Sequence, residues 1–244
     1  MAGVFLPPAI EPLGIFDRNE EALPDSVVGG EQTPTTAAKA ATIFSSLILA
    51  YCQSILQLDQ LINYIKNYSQ LSTEAQHVLH DCFEQVVLSK NEYLLMEGKI
   101  CRHLYFIQNG ALRGFYNLDG KEITHWFAFE NDFVTSLHSF ITQKPAVENI
   151  QSQEGCILWA ISKETLSSLF DQYHEIERLV RIVYEKYYIR LEERFVNAQF
   201  KTATERYENL IHQTPHILER IPLGHIASYL GVSQETLSRI RSRL

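Results

Sequence analysis

The side chains with the most distinctive chemistry lie near the end of the chain, on a short stretch with helical spacing. Leu237 and Ile240 give this stretch an apolar side, which leaves Gln234, Glu235 and Arg239 on the opposite side. These three side chains match the edges of DNA bases, because glutamine pairs with adenine, glutamate accepts a hydrogen bond from cytosine and arginine pairs with guanine. The sequence therefore predicts a surface that contacts base pairs.

The predicted DNA-contacting set also contains hydroxyl and basic side chains that would bind phosphates. Its members are Ser233, Gln234, Glu235, Thr236, Ser238, Arg239 and Arg241. A competing interpretation makes Glu235 and Arg239 a surface salt bridge between helix positions i and i+4, which contributes about 0.3–0.5 kcal/mol. Both interpretations leave the two side chains on the exposed side of the helix.

Two short helices joined by a tight turn would position this surface. Pro222 suits a helix start, and Gly231 tolerates the positive φ that ends the first helix. Ser233 is a good cap for the second helix, and the small Ala227 lets the two helices cross closely. The pattern predicts a helix-turn-helix whose second helix enters the major groove. An ordinary pair of antiparallel helices is the alternative.

The distribution of charge supports this prediction better than the total does. The 244 residues have a net charge of −8, which at first argues against binding to nucleic acid. Residues 200–244, however, contain six Lys and Arg against four Glu and so carry +2, which leaves −10 on residues 1–199. The basic residues at the end of the chain would contact phosphates, and the acidic remainder would limit non-specific binding to DNA.

The cysteines and the start of the chain indicate a cytoplasmic protein without a metal or other cofactor. Cys52, Cys82, Cys101 and Cys156 lack the short spacing of zinc or iron–sulfur sites. No charged region followed by an apolar run marks a secretory signal. The apolar run within residues 41–56 is too short for a membrane span.

Motifs of the common enzyme classes are absent from the sequence. It contains no phosphate loop, nucleophile elbow or dinucleotide fingerprint. None of its nine histidines forms the His-x-His pair of metal-dependent jelly-roll enzymes. We therefore predict that the chain is not an enzyme.

The order of patterns predicts an α+β chain in four parts. Residues 1–57 form a disordered or partly helical extension, unless the natural start lies further in. Residues 58–172 contain short strands separated by turn signals such as Asn109-Gly110 and Asp119-Gly120, which indicates a jelly-roll or β-roll with flanking helices. Residues 173–199 form a long helix, and residues 200–244 form the helix-turn-helix domain.

The long helix carries an apolar stripe at spacings of three and four residues. A stripe of this length is either part of a core or a seam with a partner helix. We predict a two-fold seam, because it would place two helix-turn-helix units about 34 Å apart, one turn of DNA. The predicted seam residues are Ile176, Leu179, Val180, Val183, Tyr187, Leu191 and Phe195.

Three segments in this order resemble segments of the Crp/Fnr family of bacterial transcription regulators, the catabolite activator protein family. They are Leu104–Arg113, similar to a strand–glycine–strand segment, Glu130–Phe133, similar to a Glu-Gly-Asp-Phe turn, and Leu230–Ile240, similar to the recognition segment. The resemblance covers residues 59–244. It implies an effector-binding β-roll like a cyclic-nucleotide-binding domain, a homodimer on two-fold-symmetric double-stranded DNA, and RNA polymerase as a further partner.

The chain departs from the cyclic-nucleotide-binding members of that family. Those members have a Gly-Glu-Leu segment that binds ribose and a later Arg that binds the cyclic phosphate, where this chain has Thr135–Leu137 and Glu148–Ile150. Because Glu148 stands where the cation is expected, we predict no response to cyclic AMP and an unknown effector, if there is one. The candidate effector-pocket residues are Phe133, Thr135, Ser136, Leu137, Glu148 and Asn149.

Alternative functions remain open at this point. The roll could be a cupin-like small-molecule-binding or enzymatic domain with a helical protein-interaction tail, or the helix-turn-helix could bind a protein. The aromatic residues Trp126, Phe127, Phe129 and Phe133 are interpreted as packing residues of the roll, with an apolar ligand pocket as the alternative.

Overall fold

A computed structural model describes residues 61–66 and 70–243. These residues belong to one compact unit. The predicted extension, residues 1–57, and Cys52 lie outside the described residues. Within the described part of the chain, no helix is both long enough and apolar enough to cross a lipid bilayer.

Eight strands and two short helices form the β-roll, after a helical segment at residues 61–66. Helix α1 begins after Ser72, whose hydroxyl accepts a hydrogen bond from the backbone N–H of Ala75 at 3.1 Å. The elements are α1 Thr73–Cys82, β1 Glu84–Leu88, β2 Tyr93–Leu95, β3 His103–Asn109, β4 Leu112–Leu118, β5 Lys121–Ala128, β6 Phe133–Val134, α2 Leu137–Thr142, β7 Asn149–Ser152 and β8 Cys156–Ser162.

The strands form two four-stranded sheets with antiparallel neighbours, in the orders β1-β8-β3-β6 and β2-β7-β4-β5. Side chains that alternate along the strands fill the space between the sheets, and Phe106, Ile150 and Leu158 there are fully buried. The structure thus confirms the predicted α+β chain with a β-roll, and the roll has eight strands. The sequence analysis missed β6 and α2, which have only two and six residues.

The predicted Asn109-Gly110 turn is fixed by close packing. Gly110 has φ +106°, and a Cβ at this position would lie 2.5 Å from Cys156 Sγ. Its backbone N–H donates to the Glu130 carboxylate at 2.9 Å, which ties this turn to the turn before β6. Only glycine combines this backbone conformation with so close an approach.

Six helices follow the roll. They are α3 Lys163–Phe170, α4 His174–Phe200, α5 Ala203–Gln213, α6 Ile217–Arg220, α7 Leu223–Tyr229 and α8 Gln234–Arg241. Helix α5 begins with a capping box, in which the side chains of Thr202 and Glu205 satisfy each other's backbone N–H groups. The sequence analysis predicted α3, α4, α7 and α8 but did not identify α5 and α6.

Helix α4 has two different environments along its length. Its first turns carry Ile176, Leu179 and Val180, which are buried in the same core cluster as the strands of the roll. These three members of the predicted seam therefore pack within their own chain and are not available to a partner. Of the others, Val183 and Tyr187 are half-buried, whereas Leu191 and Phe195 are 50% and 63% exposed.

A second core joins the terminal helices to the roll. It contains Tyr207, Leu210, Ile217, Ile226 and Leu237 from the helices, together with Ala111 from the turn before β4. Phe127 and Phe129 also pack against this second core, rather than inside the roll as the sequence analysis supposed. Helix α7 lies directly against β5.

Candidate functional site

The terminal helical pair, α7 and α8, is joined by a short turn at residues 230–233. Gly231 has φ +66°, and the backbone N–H of Val232 donates to the carbonyl of Ala227 at 3.0 Å. The hydroxyl of Ser233 then accepts from the backbone N–H of Thr236 at 3.2 Å and begins α8. Each of these local contacts follows from the residue types that predicted the turn.

Helix α8 buries its apolar side and exposes its polar side. Leu237 and Ile240 are buried, and Thr236 is half-buried. The exposed members of the predicted DNA-contacting set are Ser233, Gln234, Glu235, Ser238, Arg239 and Arg241. The side chains best suited to contact another molecule are thus the ones that the fold leaves accessible.

Glu235 and Arg239 form no salt bridge with each other in the described structure. Arg239 Nη2 instead donates to the hydroxyl of Thr236 at 3.1 Å. A hydrogen bond from Ser233 lowers the pKa of the Glu235 carboxyl below its usual value. The carboxylate is therefore ionised, and both groups keep capacity for further hydrogen bonds to another molecule.

The turn is also held from the outside by a residue that the sequence analysis missed. Arg206 Nη2, on α5, donates to the carbonyl of Leu230 at 2.9 Å. Its Nη1 donates to the carbonyl of Lys201 at 2.6 Å, just after the end of α4. One guanidinium thus connects the long helix to the terminal helical pair.

Hydrogen bonds from α7 reach the roll on β5 and on the segment after β7. The hydroxyl of Ser228 accepts from the backbone N–H of Thr124 at 3.0 Å and donates to the carbonyl of Glu122 at 2.9 Å. His225 Nδ1 lies 2.8 Å from Gln153 Oε1 and donates to it. These hydrogen bonds accompany the apolar contacts between the terminal helices and the roll.

Arg220 and two carboxylates form an ionic cluster between the terminal helices and the roll. Arg220 Nη1 and Nη2 donate to the two oxygens of Glu130 at 2.8 and 2.7 Å. Its Nε donates to Glu154 at 3.0 Å, and its guanidinium lies 5.1 Å from the ring centre of Phe129. Burial would raise the pKa of Glu130, but the hydrogen bonds from Arg220 and Gly110 hold it below its usual value.

Arg113 is a buried cation in this contact region. Its side chain is 1% exposed, its Nη2 donates to Glu122, and its guanidinium lies 4.1 Å from the ring centre of Phe115. Its Nε and Nη1 have no hydrogen-bond partner among the described residues. Burial, followed by the charge of Arg113, lowers the pKa of His225 and so keeps the imidazole neutral.

Inside the roll, the predicted effector position contains a closed hydrogen-bond network. The buried Glu148 carboxylate accepts from His125 Nε2 at 2.6 Å and from Trp126 Nε1 at 3.2 Å. Burial would raise the pKa of Glu148, but hydrogen bonds from His125, Ser136 and Trp126 and the charge of His125 lower it below its usual value. The carboxylate is therefore ionised and fully engaged.

A β-bulge explains why two adjacent residues reach the same carboxylate. Neighbours on a regular strand point to opposite faces. The pairing of β4 with β5 shifts here, from Gly114 opposite Trp126 to Phe115 opposite Thr124, so that His125 is the extra residue. Gly114 provides the space for the indole, because a Cβ on Gly114 would lie 2.1 Å from the Trp126 ring.

The other predicted effector-pocket residues do not converge on a single point. The hydroxyl of Thr135 donates to the carbonyl of His103 at 3.0 Å, and Asn149 Oδ1 accepts from the backbone N–H of Glu97 at 3.0 Å. The ring of Phe133 packs 5.2 Å from that of Phe106. Of the six predicted residues, Ser136 and Glu148 share the network, while Leu137 is half-buried at the start of α2.

Histidine, cysteine, aspartate and glutamate side chains are not grouped as metal ligands in the described residues. No group of three or more of them is close enough together to hold a metal ion there. The close pair His125–Glu148 is instead part of the hydrogen-bond network in the roll.

Comparison with known proteins agrees with this architecture. Residues 85–173 match the family model named cyclic nucleotide-binding domain. No curated protein matches the sequence.

Three solved structures with similar folds illustrate the wider match. FixK2 from Bradyrhizobium japonicum has 18% sequence identity and a TM-score of 0.58, over 66% of this chain and 84% of that one. A transcriptional regulator of the Crp/Fnr family from Eubacterium rectale has 18% identity and a TM-score of 0.56, over 70% and 82%. CooA from Carboxydothermus hydrogenoformans has 17% identity and a TM-score of 0.55, over 70% and 80%. The chain therefore contains a cyclic nucleotide-binding domain at residues 85–173 and has the fold of the Crp/Fnr family regulators.

Proposed function

We propose that the protein is a DNA-binding transcription regulator of the Crp/Fnr type, which acts as a homodimer and does not respond to cyclic AMP. The observation that carries this proposal is the exposed polar side of α8. Gln234, Glu235 and Arg239 are accessible, while Leu237 and Ile240 anchor the helix from below. An exposed helix with base-matching side chains at its N-terminal end is what recognition in the major groove requires.

The exposed second half of α4 supports the dimer. Its large apolar side chains would otherwise remain in water, and such surfaces mark interaction sites. The exposed apolar residues are Tyr188, Ile189, Leu191, Phe195, Val196 and Phe200. This surface retains Leu191 and Phe195 of the predicted seam. It leaves out the first seam residues, because they are buried against the roll. A two-fold pairing here would present two copies of α8 to one DNA duplex, and RNA polymerase is the further partner that we expect at a promoter.

The Glu148 network supports the lack of response to cyclic AMP. A cyclic phosphate in this position would approach a buried, ionised carboxylate whose hydrogen-bond donors are already engaged. Two like charges a few ångströms apart in a buried site repel each other by several kcal/mol, roughly. Glu148 therefore opposes the anion that an arginine would attract.

Titration with DNA tests the main proposal. Genomic fragments selected by the protein, and random DNA of equal length, are titrated by fluorescence anisotropy at several salt concentrations. We expect tighter binding to the selected fragments and a steep loss of affinity with salt, because phosphate contacts release counterions. Arg239→Ala should weaken binding to the selected fragments by about 1–3 kcal/mol. Arg178→Ala, at an exposed position near the start of α4, serves as the control. Equal losses on selected and random DNA would remove Arg239 from base recognition.

The dimer and the effector are tested separately. Sedimentation of the full chain should show a dimer, and Phe195→Glu should shift it towards monomer because the charge enters an apolar interface. A monomeric wild-type protein at micromolar concentration contradicts the dimer. Calorimetric titration with cyclic AMP should show no binding, and saturable binding contradicts that part of the proposal.

A further inference from the structure

A cavity of about 330 Å³ lies where three parts of the chain meet, and Trp126, a member of the Glu148 network, forms part of its wall. Its walls are the end of β5 and the segment that follows it, the second half of α4, and the terminal helices around α5 and α6. This volume is at the lower end of the range for small-molecule sites, which begins at about 300 Å³. The size suits a molecule with one or two rings.

Aromatic faces make up much of the wall. Phe129 and Phe133 border the cavity from the roll, and Tyr229 borders it from α7. The ring of Phe127, also in the wall, lies 5.4 Å from that of Tyr229, at a tilt of 49°. Aromatic side chains in the wall favour a planar aromatic ligand, because offset and edge-to-face ring contacts add to the burial of apolar area.

One guanidinium at the cavity lacks an acidic partner. Arg190, which also borders the cavity, is paired with Asp132 at 2.7 Å. Arg194 lies 5.6 Å from the ring centre of Tyr229 and has no carboxylate within 4.0 Å in the described part of the chain. The remaining acid of the wall, Glu193, is exposed. The nearby carboxylates disfavour a doubly charged group, whereas a single negative charge matches Arg194.

We propose that this cavity binds a small planar aromatic carboxylate, with its ring between the aromatic walls and its acid group on Arg194. The cavity includes Phe133 and Thr135 of the predicted effector-pocket set, but its proposed ligand-binding cation is Arg194, and the His125–Glu148 pair is not part of its wall. A carboxylate accepts two hydrogen bonds from one guanidinium, and this pairing orients the ligand as well as holding it.

Occupancy of the cavity would affect the terminal helical pair, since Tyr229 belongs to α7 while Phe129 follows β5. A ligand that contacts both walls favours the arrangement in which they lie at this separation. In this respect the inference rests on the proposed function, because the terminal helical pair is the proposed DNA-binding element. The ligand would therefore change the affinity for DNA.

Binding is tested on the full chain without DNA. The probes are benzoate and indole-3-acetate, with benzamide and indole-3-acetamide as their uncharged counterparts, measured by calorimetry and ligand-observed nuclear magnetic resonance. We expect the acids to bind about tenfold more tightly than the amides. Arg194→Met keeps the aliphatic stem and should remove this tenfold preference, while Arg178→Met should not. Equal binding of acids and amides, full binding to Arg194→Met, or no binding of any probe at millimolar concentration overturns the proposal.

A second variant locates the site without disturbing the core. Gln213 is exposed at the rim of the cavity, so Gln213→Trp should fold normally and obstruct entry. Loss of binding of both acids and amides supports the cavity as the site, and unchanged binding contradicts it. Thermal unfolding followed by circular dichroism checks that each variant is folded.

Coupling to DNA is a separate measurement. Indole-3-acetate should shift the affinity of the wild-type protein for its selected DNA by about fivefold or more, and should leave that of Arg194→Met unchanged. If the probe binds and the protein binds DNA without any shift, the coupling is wrong. If the protein binds no DNA at all, the proposed function fails, while the binding titrations still decide whether the cavity is a site.

Discussion

Replacing Arg220 with methionine should release the terminal helices from the roll without emptying the space that the side chain fills. Methionine keeps most of the aliphatic stem but removes every hydrogen bond to Glu130 and Glu154, together with the guanidinium contact with Phe129. The two carboxylates would then lie close together without a cation between them. The perturbation therefore removes one attraction and leaves one repulsion.

The expected loss lies between two known limits. Breaking an exposed ion pair costs about 0.2–1 kcal/mol, and breaking a fully buried one costs about 3–5 kcal/mol. The side chains of Arg220, Glu130 and Glu154 are 25%, 30% and 34% exposed, so solvent screens the cluster in part. Two-point contact with Glu130 places the value above the exposed limit. We expect a loss of about 2 kcal/mol, or about 4–8 °C in melting temperature for a chain of this size.

Calorimetric and urea unfolding measure this loss, with Arg178→Met as the matched control on an exposed surface. A double-mutant cycle with Glu130→Gln should give a coupling energy of about 1 kcal/mol or more. Limited proteolysis between α4 and α5 should be faster in Arg220→Met. If the loss is below about 0.5 kcal/mol and the coupling is zero, Arg220 does not hold the two parts together.

The pH dependence gives an independent check on the same cluster. The pKa of folded Glu130 lies below the ordinary 4.5, so its stabilising contribution is present above that value and is lost as the pH falls through the folded pKa. Arg220→Met lacks, at every pH, the part of this contribution that comes from Arg220, while the hydrogen bond from the Gly110 N–H remains. The difference in unfolding free energy between wild type and variant should therefore be largest near neutrality and should shrink in acid. A constant difference would contradict the ionic origin of the effect.

Three further predictions concern the network and the contact region. Gly114→Ala should displace the Trp126 ring, cost about 1–3 kcal/mol and shift tryptophan emission, while Gly155→Ala, with nothing within 4 Å of its Cβ, should not. Because the pKa of Glu148 is lowered, its contribution to stability disappears as the pH falls. Below about pH 5, the unfolding free energy measured in urea should therefore fall less steeply with pH in Glu148→Gln than in the wild type. An unchanged slope would refute this. Folded His225 has a pKa below the ordinary 6.5, so stability falls with pH below that value, and His225→Gln should remove this slope in the same titration.

Local sequence patterns predicted the helices and strands in which buried residues recur at a regular spacing. The apolar spacing of Leu237 and Ile240 predicted which side of α8 would be exposed, because the helix itself determines that geometry. Turn residues such as Asn109-Gly110 predicted the breaks between strands. Short elements carry too few residues for a period to show, and for that reason the two-residue β6 and the six-residue α2 were missed.

For the long helix, the sequence predicted the apolar stripe but not what the stripe contacts. An apolar stripe indicates that one side of a helix is covered, but it does not indicate what covers it. The stripe on α4 passes from the core of its own roll, at Ile176 and Leu179, to an exposed surface at Phe195. The predicted seam therefore combined residues of the core with residues of an exposed surface in one set.

The Glu148 network could not be predicted from residue spacing, because it depends on the register of three strands. His125 and Glu148 are 23 positions apart; His125 is on β5, Glu148 directly precedes β7, and these two strands lie on either side of β4. A glycine inside a strand pattern does signal a close approach of another group. Gly114 was such a signal, and the ring that fills its space is Trp126.

Strand β5 connects the two sites that the sequence suggested separately. Its bulge directs His125 and Trp126 to Glu148, while the next residue, Phe127, packs against the terminal helices. The backbone of the same strand, at Thr124, is bonded to Ser228 of α7. A change at Glu148 that alters the bulge must therefore move groups that contact α7, since adjacent residues of one strand cannot shift independently. In the proposed regulator, this route would connect a change in the roll to the proposed DNA-binding helices.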